Sequence, residues 1–425
     1  MLQIPVLREN TAQVLAGLEK RNFKNAAQEV QSIIDLDQKR RTLQTERDEL
    51  LSRANSLAKE IGGLMKNGQK DQAEQLKTET AELKLKTKAL DEEVQQLQND
   101  LQQALYKIPN VPHESVPAGK SAEDNEVVLE HGAIPALPEN ALPHWELIKQ
   151  YDIIDFDLGN KITGAGFPVY KGQGARLQRA LINFFLDEAI KAGYYEVQPP
   201  ILVNEASGIA TGQLPDKEGQ MYHDKADNLF LIPTAEVPIT NLYRDEIIPE
   251  GKLPIKNVGY TPCFRREAGS WGADVRGLNR LHQFDKVEIV QIQAPEKSYE
   301  ALDEMSQHIQ GLLQKLELPY RVLRLCGGDM GFTSALTYDM EVYSAAQGRW
   351  LEVSSCSNFE TYQANRLKLR QRTEGGKPQL LHTLNGSALA LPRIVAALLE
   401  NNQTPEGIKL PKVLHSYLGF EMITK

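Results

Sequence analysis

Cys263-Phe264-Arg265-Arg266-Glu267 is the first half of the stretch that best predicts the architecture of this chain, and His282-Gln283-Phe284-Asp285-Lys286-Val287-Glu288 is the second. β-Branched and aromatic residues flank both halves, which predicts two strands. Side chains two apart on a strand share a face, so Arg265 and Glu267 project together, as do Phe284 and Glu288. If the strands pair as a hairpin, one sheet face carries a guanidinium, two carboxylates and an aromatic ring.

The groups on this face suit particular ligands. A guanidinium suits a phosphate, an aromatic ring suits a flat base, and a carboxylate suits an amine. We therefore expect a nucleotide and an amino acid to lie side by side on this face. An arginine and a glutamate on one strand face are, however, more often a surface ion pair worth under about 1 kcal/mol. The choice between the two interpretations rests on the remainder of the chain.

Composition narrows the class of protein. The chain has 425 residues, 41% hydrophobic and 25% charged, which is typical of a soluble protein with two or more domains. We expect no membrane span, and residues 1–5 do not resemble a signal peptide. The net charge of -9 argues against a general nucleic-acid binder but leaves open a local basic surface for RNA. Cys263, Cys326 and Cys356 have neither zinc-site nor disulfide spacing, which favours a reducing cytoplasm.

Two heptad patterns occupy the first hundred or so residues. Leucines recur every seven residues in each pattern, with a second seam position three residues before each leucine. The first pattern has Leu36, Leu43, Leu50, Leu57 and Leu64 with Ile33, Arg40, Arg47, Ala54 and Ile61; the second has Leu76, Leu83, Leu90 and Leu97 with Ala73, Thr80, Thr87 and Val94. Asn67-Gly68 lies between them. We predict a long antiparallel helical hairpin over about residues 28–105.

Such an arm usually serves oligomerisation or spacing. Arg40 and Arg47 at seam positions, with further lysines and arginines nearby, could instead meet phosphates. Interspersed acidic residues make an ordinary solvated surface equally compatible with the sequence.

A proline-containing junction follows the hairpin at residues 109–112, and the pattern beyond it is mixed. We expect a helix over about residues 175–191, another over about 296–316 and a final one that begins at Pro392. Because strands and helices do not alternate regularly, an antiparallel sheet flanked by helices is favoured, which gives an α+β class. The predicted domains are residues 1–110, which include the arm, and residues 111–425.

Three further segments carry candidate binding groups. Thr234 and Glu236 follow an apolar run and could meet a small polar ligand, although a helix N-cap at Thr234 is the simpler interpretation. The segment from Glu352 to Asn358 offers a carboxylate and hydroxyls, hard ligands that suit Mg²⁺, or forms only a polar turn. Pro392 suits a first helical position, which places Arg393 in the first turn, where a phosphate would explain its charge. No Gly-x-x-x-x-Gly-Lys-Ser/Thr loop is present.

Taken together, these residues resemble the seryl-tRNA synthetases of the bacterial type, a family of class II aminoacyl-tRNA synthetases. The resemblance runs from end to end, including the arm and the Ile108-Pro109-Asn110 junction. The class II motifs correspond to residues 175–200, 264–288 and 385–393. The resemblance implies a class II catalytic domain, an antiparallel sheet flanked by helices, preceded by a long coiled-coil arm.

The resemblance also implies an activity and a set of site residues. Serine would react with ATP to seryl-adenylate, and serine would then pass to the 3′ end of tRNA(Ser), and of tRNA(Sec) where present. Arg265 and Arg393 would be catalytic, and Glu352 and Ser355 would bind Mg²⁺. The implied ATP contacts are Arg265, Arg266, Glu267, Phe284, Glu352, Val353, Ser354, Ser355 and Arg393. The implied serine contacts are Thr234, Ala235, Glu236, Arg265, Glu288, Asn385 and Ser387.

The implied partners are tRNA, gripped by the arm, and a second copy of the chain, joined through the first motif into a homodimer. The location would be cytoplasmic.

Two other functions are weighed against this one. Relatives that load an amino acid onto a carrier protein lack the arm, and a coiled-coil scaffold with an inactive domain would have no need of Arg265, Glu267, Phe284 and Arg393 together.

Overall fold

The computed structural model describes residues 1–216, 219–267, 276–372 and 375–425. Its α-helices are α1 (Ile4–Glu9), α2 (Thr11–Lys20), α3 (Ala26–Lys66), α4 (Lys70–Leu105), α5 (His144–Gln150), α6 (Phe156–Ile162), α7 (Gly172–Lys191), α8 (Glu205–Thr211), α9 (Glu236–Asn241), α10 (Ser298–Lys315), α11 (Thr361–Leu367), α12 (Leu391–Asn401) and α13 (His415–Leu418). Its strands are β1 (Glu126–His131), β2 (Ile154–Asp155), β3 (Val169–Tyr170), β4 (Tyr195–Glu196), β5 (Leu202–Asn204), β6 (His223–Asp224), β7 (Leu229–Leu231), β8 (Ile247–Pro249), β9 (Ile255–Phe264), β10 (Gln283–Gln293), β11 (Tyr320–Arg324), β12 (Leu336–Ser344), β13 (Arg349–Asn358), β14 (Arg370–Arg372), β15 (Gln379–Leu380), β16 (His382–Ala390), β17 (Gln403–Thr404), β18 (Gly407–Lys409) and β19 (Met422–Ile423).

The chain forms two compact units. One comprises Met1–Glu19 and Phe23–Pro109, and the other comprises Lys20–Asn22 and Asn110–Lys425. In the first unit, α3 and α4 pair along their length, and the turn between them contains Gly68 at φ +78. Glycine suits this turn because a side chain would be strained at that backbone angle. The heptad positions are buried where the pattern predicts, for example Ile33, Ala73 and Val94. The long helical hairpin is confirmed.

The two seam arginines of α3 are engaged within the arm. Arg40 donates to Asp37 at 2.7 Å and to Gln44 at 2.8 Å. Arg47 pairs with Asp48 at 2.7 Å and, across the seam, with Asp91 at 3.2 Å. Contact of these two arginines with phosphates stays a prediction, since their bonds within the arm use only some of the five N–H donors of each guanidinium.

The second unit is built on a large sheet with strand order β1-β11-β12-β13-β16-β10-β9-β4. Neighbouring strands are antiparallel except β4 and β9, which are parallel. Helices α7, α10 and α12 contact this sheet. The α+β class and the antiparallel sheet flanked by helices are thus confirmed.

The main core lies on one face of the sheet. It joins Phe184 of α7 and Ile309 of α10 to Val287, Ile289 and Leu384 of the central strands. Because side chains alternate along a strand, the residues between these core positions project to the opposite face. That face carries the candidate site.

The predicted helices are present, with small shifts at their ends. The helix expected over residues 175–191 spans Gly172–Lys191, and the one expected over 296–316 spans Ser298–Lys315. Pro392 lies in the first turn of α12, as its fixed φ predicts. This is not the last helix, since α13 follows it.

In the described ranges, no helix combines the length and the apolar character that crossing a membrane requires.

Candidate active site

The hairpin on which the sequence argument rests is formed by β9 and β10. Phe284 pairs with Cys263, and Glu288 pairs with Gly259. One detail of the expectation is wrong, because β9 ends at Phe264 and Arg265 and Glu267 lie beyond it. Glu267 has φ +49, a left-handed conformation that ends strand alternation. The Gly-rich loop predicted between the two halves falls largely on residues 268–275, which lie outside the described residues.

Strand β10 presents three side chains to the site face. Phe284, Lys286 and Glu288 alternate with the core residues Val287 and Ile289 along an unbroken register with β9. Lys286 was not among the residues expected from the sequence. The same period of two that selected Phe284 and Glu288 would have selected it, so the signal was present in the sequence.

Glu288 lies at the centre of a buried cluster. Its carboxylate accepts from Asn385 Nδ2 at 2.6 Å and from Ser387 Oγ at 3.4 Å, and pairs with Lys286 Nζ at 2.7 Å. Ser354 Oγ in turn donates to the Ser387 carbonyl at 2.6 Å. The negative charge of Glu288 is therefore already neutralised by a buried ammonium.

Thr234 joins this cluster through its hydroxyl. Lys286 Nζ donates to Thr234 Oγ1 at 2.8 Å, and the backbone N–H of Glu236 donates to the same oxygen at 3.4 Å. No side-chain cap is formed at the N-terminus of α9. The N-cap residue of α9 is Ala235, so the simpler interpretation of Thr234 as the helix N-cap is wrong, and its shortest side-chain bond is to the lysine.

Glu236 is the second buried carboxylate of the site. It is the first residue of α9 and only 6% exposed. Burial raises the pKa of Glu236 to about 7, with Glu288 adding to the rise, while a hydrogen bond from Gln363 opposes it. Gln363 Nε2 donates to it at 2.6 Å. No cation among the described residues pairs with Glu236, which leaves its charge for a ligand.

Arg265 lies at the edge of this cluster, directly after β9. Its Nε donates to the Pro233 carbonyl at 3.4 Å, and its guanidinium lies over the Phe284 ring at 5.2 Å. Within the described part of the chain no carboxylate lies within ion-pair distance of Arg265. A guanidinium above an aromatic plane, with its charge uncompensated, suits a phosphate attached to a stacked base.

Glu352 and Ser355 both lie on β13, three residues apart, a spacing that places two side chains on opposite faces of a regular strand. They nevertheless share a face, because a bulge separates the pairs Met340–Ser354 and Glu341–Glu352, and a bulge inserts one extra residue into the strand. Ser355 is directly opposite Asp339. Val353 occupies the bulge and is buried in the core, so any ligand contact from it would involve backbone atoms.

This oxygen-rich group fits a magnesium ion that arrives with a nucleotide. Asp339 Oδ1 is buried without a hydrogen-bond partner in the described residues. Burial and the charge of Glu352 raise the pKa of Asp339 well above its usual range. A bound cation would partner the free oxygen and would offset the repulsion between the two carboxylates. No cluster of three or more His, Cys, Asp or Glu that could hold a metal occurs in the described ranges. Mg²⁺ commonly binds through one or two carboxylates together with phosphates, so the two observations agree.

Arg393 faces the same group from the first turn of α12. It donates to the Glu352 carbonyl at 2.7 Å and to the Asn279 carbonyl at 3.1 Å, and its Nη1 is 3.7 Å from the Glu352 carboxylate. The turn that contains Asn279 is held by Leu278 N–H, which donates to His144 Nε2 at 2.8 Å. Two carbonyls thus orient the guanidinium.

The remaining expected residues are less closely joined to the cluster. Glu267 pairs with Arg280 at 2.7 Å, and the Arg266 side chain is exposed. Ala235 is fully buried and can contribute only backbone atoms. Lys286, Gln363 and Asp339 are the site residues that sequence reasoning missed.

Comparisons with known proteins identify the family of this chain. A model of the seryl-tRNA synthetase N-terminal domain matches residues 1–112, and a model of the tRNA synthetase class II core domain (G, H, P, S and T) matches residues 220–402. The chain is similar to a serine–tRNA ligase of Salinibacter ruber, 50% identical over 100% of this chain and 99% of the relative. It is also similar to the solved seryl-tRNA synthetase of Pyrococcus horikoshii complexed with ATP (34% identity, TM-score 0.93, 100% of this chain and 99% of the other). A further solved relative is the cytoplasmic serine–tRNA ligase of Naegleria fowleri in complex with AMP (27% identity, TM-score 0.88, 100% and 99%).

Proposed function

This chain belongs to the seryl-tRNA synthetase family, a class II family of ATP-dependent ligases that join serine to tRNA, and on that premise we propose which of its residues perform each step. The observation that carries the assignment is the pair of buried carboxylates, one neutralised and one not. Glu288 is paired with Lys286 at 2.7 Å, whereas Glu236 has only an uncharged donor, Gln363.

The serine ammonium binds Glu236, because a buried carboxylate without a cationic partner is the stronger acceptor for a positive charge. The serine hydroxyl contacts the cluster of Glu288, Asn385 and Ser387. These groups are buried, so alanine would leave them partly unpaired, a penalty large enough to discriminate strongly against it. Thr234 is linked to this cluster through Lys286, which bonds to both Thr234 and Glu288.

The first chemical step needs no protein base, since the serine carboxylate is already an anion at neutral pH. It attacks the α-phosphorus of ATP, and pyrophosphate leaves. Arg265 neutralises the α-phosphate while Phe284 stacks on adenine, and Arg393 meets the departing phosphates. The acceleration comes from positioning and charge stabilisation. In the second step a ribose hydroxyl at the tRNA 3′ end takes the seryl group and AMP leaves.

Glu352 and Ser355 would hold Mg²⁺. Asp339 is the partner of Ser355 on the neighbouring strand β12. When bound, the ion neutralises phosphate charge. We predict that Glu352→Gln raises the Mg²⁺ concentration needed for half-maximal ATP–pyrophosphate exchange about tenfold, because one of the few protein ligands loses its charge. A magnesium titration of the exchange rate measures this. Glu126→Gln, on edge strand β1, is the control and should leave the requirement unchanged; an unchanged requirement in Glu352→Gln would contradict the assignment.

We propose that two copies of the chain form a homodimer and that they meet at the edge of the large sheet where β4 lies. A cleft of about 520 Å³ there is lined by α7 and β10 residues including Gln178, Ile182 and Asp285. The hydroxyl of Tyr170 and Oε1 of Gln178 are buried without partners among the described residues. Apolar lining with unsatisfied polar atoms suits the same surface of a second copy.

We expect Ile182→Glu to convert the dimer into a monomer in sedimentation equilibrium at micromolar concentration, because an interface would bury the new charge unpaired. Ile162→Glu is the control, since Ile162 is 74% exposed and lies on α6. A wild-type protein that is monomeric under the same conditions would rule out the dimer.

The arm, as part of a domain of residues 1–110, is proposed to bind tRNA, and residues 111–425 to form the catalytic domain. Charging of tRNA(Sec) stays a prediction, which a charging assay with that transcript would test. A cytoplasmic location is proposed because Cys263, Cys326 and Cys356 are all free and buried, as a reducing compartment would leave them; cell fractionation would test it.

A further inference from the structure

Gln363 lies behind the proposed serine site, on α11, and is fully buried. Its amide nitrogen donates to Glu236 Oε1 at 2.6 Å and to the Thr211 carbonyl at 3.2 Å. Its amide oxygen accepts from Thr383 Oγ1 at 2.7 Å. A primary amide has two N–H donors and one carbonyl oxygen, so both donors and the oxygen have a partner among these three groups.

The orientation of this amide is fixed from two sides. The Thr211 carbonyl has no hydrogen to give, so the group facing it must be the nitrogen. The amide oxygen then faces the Thr383 hydroxyl, which can donate. Rotation of the amide by half a turn would place two acceptors against each other at Thr211 and at ionised Glu236, which is unfavourable in a buried setting. Gln363 is therefore a dedicated donor to Glu236.

We propose that Gln363, locked by Thr383 and Thr211, is the positioning residue that keeps Glu236 ionised and aimed at the serine ammonium. The proposal rests on the assignment of Glu236 to the ammonium made above. Gln363 itself touches neither serine nor ATP in this scheme. It acts by donating to the charged form of the carboxylate, which favours ionisation where burial opposes it.

The electrostatic surroundings of Glu236 give the expected pH dependence. The charged groups acting on it are Glu288 and Lys286 from β10 and Arg265 after β9. Since burial raises the pKa of Glu236 to about 7, protonation competes with ammonium binding below that pH. The KM for serine should then rise as pH falls through about 7. Loss of the Gln363 donor raises the pKa of Glu236 further, so the rise in KM should begin at a higher pH.

The experiment is serine-dependent ATP–pyrophosphate exchange from pH 5.5 to 8, with KM for serine and for ATP measured at each pH. Gln363→Met keeps the length of the side chain and removes the donor. The acid limb is the pH range over which the serine KM rises as the pH falls. In this variant we expect the limb to lie about one pH unit higher than in the wild type, which is about a tenfold increase in KM at a given pH on the limb. The KM for ATP should change less than about twofold.

Two variants at position 383 separate positioning from folding. Thr383→Val removes the hydroxyl with little change in shape, frees the amide of Gln363 and should move the limb in the same direction by less. Thr383→Ser keeps the donor and should restore the wild-type profile. A merely structural role would lower the melting temperature or kcat without moving the limb, so an unmoved limb in both Gln363→Met and Thr383→Val overturns the proposal.

Glu236→Gln distinguishes this proposal from the function on which it rests. If that variant keeps both the serine KM and its acid limb, the assignment of Glu236 to the ammonium is wrong. If it loses serine affinity while Gln363→Met keeps the wild-type limb, the assignment stands and only the role of Gln363 is overturned.

Discussion

Arg265→Ala is expected to reduce serine-dependent ATP–pyrophosphate exchange about a thousandfold while the protein stays folded, since one preorganised donor to a developing charge is worth two to three orders of magnitude. The geometry explains why this arginine should matter so much. Its only described hydrogen-bond acceptor is a backbone carbonyl, that of Pro233 at 3.4 Å, and its guanidinium rests over Phe284. No described carboxylate lies within ion-pair distance of it, so its N–H groups are available to the α-phosphate.

The control is Arg321→Ala. Arg321 is on the same sheet, lies over the Trp350 ring at 4.9 Å and is paired with Glu341 at 2.5 Å. Its loss removes the same charge and a similar cation–π contact, yet exchange should change little. Circular dichroism and thermal melting of both variants check the fold. Normal exchange in Arg265→Ala would exclude the proposed adenylation site, and an equal loss in Arg321→Ala would show that general damage, not phosphate binding, is responsible.

The sequence predicts the strands and the arm well because both depend on strong periodic patterns. The heptads place Ile33 and Val94 at the buried seam, and the period of two places Phe284 and Glu288 on one face of β10. Such periodicity reports burial directly, because a residue on the wrong face would be moved out of the core.

Backbone irregularities limited the prediction of the site. Glu352 and Ser355 share a face only because of the bulge at Val353, and a strict alternation would separate them. On β16 a similar shift between the Lys286–Ala390 and Glu288–Ser387 pairs sets which residues face the site before the chain enters α12. Bulges depend on long-range pairing, so local patterns carry no sign of them. Glu267 was misplaced for a related reason, since its left-handed φ follows the end of the strand.

Long-range partners were the second limit. Gln363 and Glu236 are 127 residues apart and meet at 2.6 Å, and Asp339 meets Ser355 only through strand pairing. Neither glutamine nor aspartate at these positions belongs to a local motif. The sequence could therefore name the groups that contact ligands but not the groups that hold them.

Shortening the arm should separate the two reactions. Deleting residues 28–105 would also remove Ile33, Leu101 and Leu105, which are buried at the root of the arm. A sharper change joins α3 to α4 by a short turn in place of residues 48–90. This keeps the root and the Lys39–Glu93 ion pair at 3.0 Å. We expect serine-dependent exchange to be unchanged and tRNA charging, measured as kcat/KM, to fall at least about a hundredfold, because several phosphate contacts are lost.

Unchanged charging would return the arm to a purely structural role, and a parallel loss of exchange would mean that the deletion had damaged the catalytic unit. We propose that the α4 side of the arm binds the tRNA. An exposed row on α4 contains Lys84 and Lys88, one turn apart on the same side, and no described carboxylate pairs with either. Arg47 and Arg53, in contrast, are paired with Asp91 and Glu79.

Lys84→Ala with Lys88→Ala should therefore raise the KM for tRNA about tenfold and lower the salt dependence of charging by about two counterions, as expected when two phosphate contacts are removed. Arg47→Ala with Arg53→Ala removes the same charge from side chains that are already paired with carboxylates, and should change the KM for tRNA far less. Equal effects of the two double variants would show that tRNA responds to the overall charge of the arm. A larger effect of the lysine pair, with the exchange rate constant in both, would place the RNA on the α4 side.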